Sequence, residues 1–156
     1  KTSGIKIKKV VPFITMILKV YTDGGSKGNP GPSAIGGVGY LNGKWIFEFK
    51  KSIGNATNND AEYQALIKAL EILNPKSKIP NKFQSPNFQN IKQIQFFSDS
   101  RLMVNQVNGF FKVKNGKIKE YILKIRSLEQ EINLPIAYYL IPREKNVEAD
   151  RLVNTV

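Results

Sequence analysis

A chain of 156 residues is of single-domain size and can bury roughly two thirds of its unfolded surface, so its core needs no covalent staple. It has no cysteine and no histidine, which excludes disulfides, thiolate zinc sites, a Cys nucleophile and the usual general base. With 24 Lys+Arg against 12 Asp+Glu the formal charge is +12, and such a chain favours a polyanion as partner, because each neutralised phosphate releases bound counterions.

Residues 1–15 begin with the basic stretch KTSGIKIKK and run into an apolar segment with the look of a leader. Pro12 interrupts that segment, no small-residue cleavage site follows, and the run is too short to span a bilayer. The expectation is an N-terminal extension, native or left over from expression with Met16 as the natural start, ahead of one domain over 16–156. Residues 16–22, MILKVYT, predict a buried strand that stops at Asp23. Residues 35–41 and 44–53 predict two more, joined through Asn42-Gly43, a dipeptide suited to tight hairpins.

From Asn58 the apolar period becomes helical: Leu66, Ala69, Leu70 and Leu73 form one stripe, Thr57 or Asn58 can cap it, and Pro75 ends it. Residues 74–90 carry three prolines, three lysines and no acid, and read as a solvated insertion. IKQIQFFSD is a strand running into a second acidic turn, followed by a short helix to Asn108. Tyr121, Ile125, Leu128 and Ile132 keep helical spacing through 116–133. After Leu134-Pro135 come a last strand, IAYYLI, and a last helix from about Asn146. The order β-β-β-α-β-α-α-β-α places the chain in the α/β class, with an antiparallel start, a mixed five-stranded sheet and helices on its faces.

The placement of the few acids carries the chemistry. Asp23 and Asp99 each follow a strand, where α/β sheets meet their ligands. Glu62 sits four positions before Leu66, at the top of the apolar stripe rather than on the wet face. Asp150 lies near the start of the last helix. Singly, each reads equally well as a turn, cap or solvated residue. Converging at one sheet edge, four carboxylates repel one another unless cations neutralise them, and oxygen ligands without His or Cys select Mg²⁺ or Mn²⁺.

The segments YTDGGSKGNPGPSAIG, NATNNDAEYQAL, FFSDS and REKNVEADRLVN resemble, in order, the four signature segments of type 1 ribonuclease H, over about residues 16–156. The resemblance implies a ribonuclease H-like fold, with the first three strands antiparallel and the last two parallel. It implies an endonuclease that hydrolyses the RNA strand of an RNA–DNA hybrid, largely without regard to sequence, leaving 5′-phosphate and 3′-hydroxyl ends. It further implies Asp23, Glu62, Asp99 and Asp150 as the catalytic, metal-binding set. Two Mg²⁺ ions roughly 4 Å apart, with Mn²⁺ as a substitute, would serve the attacking water and the leaving oxygen. Asp23 would be shared by both, Glu62 and Asp99 would bind one, and Asp150 the other.

By the same resemblance Gly24, Gly25, Ser26, Asn29, Asn58 and Asn59 touch the RNA strand, where small residues let backbone amides reach the 2′-hydroxyl. Thr57 grips a phosphate of the DNA strand, and Ser100 and Asn146 complete the substrate-binding set. The run 110–126, FFKVKNGKIKEYILKIR, supplies basic contacts, with Lys112 and Lys114 first among them. The chain is expected to act as a cytoplasmic monomer away from membranes. Two departures stand out: no histidine precedes the last aspartate, so Arg143, Glu144 or Lys145 takes its place, and the basic protrusion of some relatives is reduced to a short connection. Three other readings stay open: a hybrid-binding module that no longer cuts, the ribonuclease H domain of a reverse transcriptase, and a junction resolvase of the same superfamily.

Overall fold

Strand β1 (Met16–Ser26) is the axis of the architecture. In the computed structural model, which describes residues 16–77 and 90–156, β1 pairs antiparallel with β2 (Gly31–Leu41), which pairs antiparallel with β3 (Lys44–Ala56). On its other side β1 pairs parallel with β4 (Ile91–Ser98), which pairs parallel with β5 (Ile136–Leu140). The sheet order is β3-β2-β1-β4-β5. Helices α1 (Asn58–Leu73), α2 (Arg101–Val107), α3 (Gly116–Ile132) and α4 (Val147–Asn154) complete the expected order, with a 3₁₀ turn over Arg143–Lys145. The expectations for residues 1–15 and for 78–89 of the insertion lie outside the described residues.

Local chemistry accounts for the element ends. The β2–β3 hairpin turns on Asn42 and Gly43, both at positive φ (50° and 79°), as the Asn-Gly pair predicts. Thr57 caps α1 in a reciprocal box with Asp60, and the helix ends at Asn74 because the residue before Pro75 is driven out of helical geometry. Asn115 caps α3 through its side chain, and Asn133 closes it in the left-handed conformation at φ 55°. The core packs Leu18 and Val20 of β1, Ile94 and Phe96 of β4, and Phe47 of β3 against Tyr63, Leu66 and Leu70 of α1 and Ile125 of α3.

The structure corrects one boundary that bears on the site. Asp23 does not end its strand: β1 continues through Gly24, Gly25 and Ser26, which pair with Ile35, Ala34 and Ser33. Glycine signals a turn at the level of sequence, yet here the ladder with β2 supplies what intrinsic propensity lacks. The glycines serve packing. A Cβ on Gly24 would lie 2.3 Å from the backbone of Ala61 on α1, and one on Gly36, the cross-strand partner of Asp23, would lie 2.9 Å from Leu152 Cβ on α4. Two helices thus approach the β1–β2 pair closely, and they carry Glu62 and Asp150.

Candidate active site

The parallel pairing of β1 with β4 brings two acids together. Tyr21 pairs with Phe97, so two residues further on Asp23 and Asp99 emerge side by side at the carboxyl edge of the sheet. Helix α1 crosses Gly24 there and delivers Glu62, whose Oε1 accepts the Gly24 N–H at 3.2 Å and whose Oε2 accepts the Ser98 hydroxyl at 3.2 Å. One carboxylate oxygen each from Asp23, Glu62 and Asp99 lies within 4.8 Å of the others. Asp23 and Glu62 are only 7% exposed, and among the described residues none of the three makes an ion pair.

Asp150 stands apart from this trio, in the first turns of α4. Its side chain is 35% exposed and lies 3.7 Å from the Arg143 guanidinium, and its charge raises the pKa of both Asp23 and Asp99. All four carboxylates line one open cleft of about 1110 Å³.

Of the residues expected to touch substrate, Gly24, Gly25, Ser26, Asn58, Asn59 and Ser100 line this cleft. The Asn29 and Asn58 side chains lace the rim: Asn29 Oδ1 accepts the Asn58 N–H at 3.0 Å, and Asn58 Oδ1 accepts the Ser26 N–H at 2.9 Å. Asn59 Oδ1 is enclosed and has no partner. Thr57 turns its hydroxyl (2.8 Å) and its N–H (3.3 Å) toward Asp60 Oδ2, so both of its donors already face an anion. Lys112 and Lys114 are exposed beside Phe110 and Phe111 on the segment joining α2 to α3, away from the carboxylate cleft. Asn146 is 1% exposed and turned inward.

The RNase H family profile matches residues 16–155. The chain belongs to the RNase H family. It is 33% identical to the bifunctional protein of Mycobacterium tuberculosis over 141 residues, 89% of this chain and 35% of that relative, so it spans about a third of the relative's length. Among solved structures it is similar to LC11-RNase H1 in complex with RNA/DNA hybrid (TM-score 0.77, 38% identity, 89% of this chain and 95% of the other). It is also similar to RNase H1 from the halophilic archaeon Halobacterium salinarum (TM-score 0.72, 32% identity, 88% and 95%). The sheet order and helix arrangement are those of the RNase H-like fold. No helix among the described residues is long and apolar enough to cross a membrane.

Electrostatics sharpen the chemistry of this cleft. Burial is the main force on Asp23 and lifts its pKa from 3.8 to about 6, with Asp99 and Asp150 adding to it. Burial and the neighbouring Asp23 push Glu62 well above its usual range, so without a cation the two carboxyls behave as a proton-sharing pair. Burial also raises Asp99, opposed by the Asn146 amide and by Arg143. A site built this way is held in a state that a hard divalent cation relieves, and three carboxylates in reach of one another are the donor set such a cation takes.

The consequence for stability has a definite sign. In the metal-free protein Asp23 binds its proton more tightly folded than unfolded, so its contribution is fully present below pH 4 and is lost as pH rises through about 6. A shift of this size corresponds to about 3 kcal/mol. Urea unfolding in EDTA from pH 4 to 8 is expected to show that fall, and the same series with Mg²⁺ to flatten it. A metal-free profile that is level across this range would contradict the proton-sharing pair.

The residue that sequence reasoning left out is Ser98. Its hydroxyl donates to Glu62 and accepts the Ser100 N–H at 3.1 Å, joining α1 to the β4 end. A serine before an aspartate at a strand end is too common to stand out without the fold.

Proposed function

We propose that this chain is a ribonuclease H that hydrolyses the RNA strand of RNA–DNA hybrids. One observation carries the reading: two nearly buried carboxylates and a third, without ion-pair partners, converge at the open edge of the sheet in a strongly basic protein. A module that only held a polyanion would gain nothing from an anionic cluster in its cleft. Divalent ions of the Mg²⁺ class, with Mn²⁺ able to replace them, would neutralise this cluster and supply Lewis-acid chemistry to the attacking water and the leaving oxygen.

Asp23, Glu62 and Asp99 would hold one such ion, and Asp150 together with Asp23 would help to hold a second. Half-buried, Asp150 lies 3.7 Å from the Arg143 guanidinium on its side of the cleft. Arg143 tempers its charge in the place where other relatives carry a histidine. Gly25, Ser26, Asn58 and Asn59 meet the RNA strand through main-chain groups and short amides, which read the 2′-hydroxyl and sugar shape rather than base edges. Cleavage is accordingly largely independent of sequence and leaves 5′-phosphate and 3′-hydroxyl ends. Residues 16–156 form the catalytic unit.

The direct test incubates the protein with end-labelled hybrid, RNA duplex and DNA duplex in Mg²⁺, Mn²⁺ or EDTA. Metal-dependent cutting of only the hybrid's RNA strand is expected. Binding without cutting in either metal would leave a non-catalytic hybrid binder, and cutting of DNA junctions would point to a resolvase.

Lys112 and Lys114 supply part of the field that holds the duplex. Replacing both by Ala is expected to raise KM severalfold with kcat unchanged. It should also flatten the dependence of log Kd on log salt by about two units, one for each lost phosphate contact. An unchanged salt slope would remove these lysines from the interface.

A further inference from the structure

Asn146 stands at the head of α4, where asparagine ordinarily caps a helix, yet its side chain makes no capping bond. It is instead among the most deeply buried polar residues described, 1% exposed, and its Nδ2 donates to the Thr22 carbonyl at 2.9 Å. Thr22 is the residue before Asp23. The main-chain oxygen of Asn146 accepts the Asp150 N–H at 3.1 Å. Its side chain therefore ties the end of β1 that leads into Asp23 to the head of α4, the helix that carries Asp150. The cost is visible nearby, since Asn146 Oδ1 and Thr22 Oγ1 are both buried without partners among the described residues. A residue present only for packing would not carry an unmet polar atom into the interior.

We propose that Asn146 is a positioning residue: it locks the β1 end and the head of α4 into one unit that sets the spacing of Asp23 and Asp150, and it does not touch substrate. This deepens the ribonuclease H reading and rests on it. An outer group of this kind orients ligands, and losing it weakens metal affinity and turnover together while leaving substrate affinity alone. That pattern separates it from the substrate contact that resemblance alone assigns to this position.

The test titrates Mn²⁺ by calorimetry, with no hybrid present, into the wild-type chain, Asn146→Ala, Asn146→Ser and Asn74→Ala. The last removes another buried amide, at the far end of α1. The two Asn146 variants are expected to bind Mn²⁺ about 10–100-fold more weakly and to lose kcat in similar measure, with KM for hybrid within about twofold; Asn74→Ala should leave all three quantities unchanged. A raised KM with unaltered Mn²⁺ affinity would overturn the proposal in favour of a substrate contact, and equal losses in Asn74→Ala would reduce it to general destabilisation. If the Asn146 variants do not fold, the wild-type side-chain amide decides by NMR. Slow exchange together with a shift on adding Mg²⁺ supports the proposal, and free exchange or indifference to Mg²⁺ overturns it. Should the wild-type chain itself neither bind Mn²⁺ nor cut hybrid, the functional reading fails in that sample alone and this proposal falls with it.

Discussion

Asp23→Asn is expected to lower hybrid cleavage by about 10³-fold or more while making the metal-free protein more stable. Asn has almost the same shape, so what disappears is the charge that, in the proposed mechanism, serves both cations, a stabilisation of several kcal/mol where charge develops. The opposite effect on stability follows from the same charge. Asp23 is 7% exposed and sits with Glu62 and Asp99 in mutual repulsion, so in EDTA at pH 8 its removal relieves roughly 2–3 kcal/mol, or about 4–12 °C in Tm. The variant should also lose the fall in stability between pH 4 and 8. Cleavage assays and thermal melts of one preparation check both halves. A variant that cuts at more than a tenth of the wild-type rate, or melts lower in EDTA, would mean that Asp23 is not the shared ligand.

The second large effect is steric. Gly24→Ala places a methyl 2.3 Å from Ala61 C and O and 2.6 Å from Glu62 N, all backbone atoms of a helix turn that cannot rotate aside. Helix α1 must lift off β1, which costs about 3 kcal/mol or more, and Glu62 leaves its partners Gly24 and Ser98. A displacement of about 1 Å at a catalytic group can cost roughly 10²-fold in rate, so kcat should fall far beyond what the lower Tm explains. Gly25→Ala is the matched control. Its new methyl meets only Val153 Cγ1 at an ordinary 3.5 Å, so Tm should hold within a few degrees while KM for hybrid rises. Equal melting of the two variants would show that Gly24 is not the closely packed position.

This contrast also marks how far the sequence could be read. The element order, the Asn42-Gly43 hairpin and the buried glutamate of α1 were legible because each rests on a local signal: a period, a dipeptide, an acid on an apolar stripe. The meeting of Asp23 with Asp99 was legible as a convergence at strand ends, though its register had to come from the β1–β4 pairing. The reason for Gly24 was not legible, since a glycine kept for a helix crossing 38 residues away looks the same as one kept for a turn. Nor was the orientation of Thr57 toward Asp60, or the burial of Asn146, because both depend on which way a side chain points once distant segments have docked.

The tie between Asn146 and Thr22 joins residues 124 positions apart, and Asp150 lies beyond it on a helix that packs against β1 and β2. A chain still emerging from the ribosome therefore holds Asp23, Glu62 and Asp99 well before it has the segment that completes the set. In the proposed ribonuclease, the nascent polypeptide would lack its fourth carboxylate until the last helix has closed on the first strand.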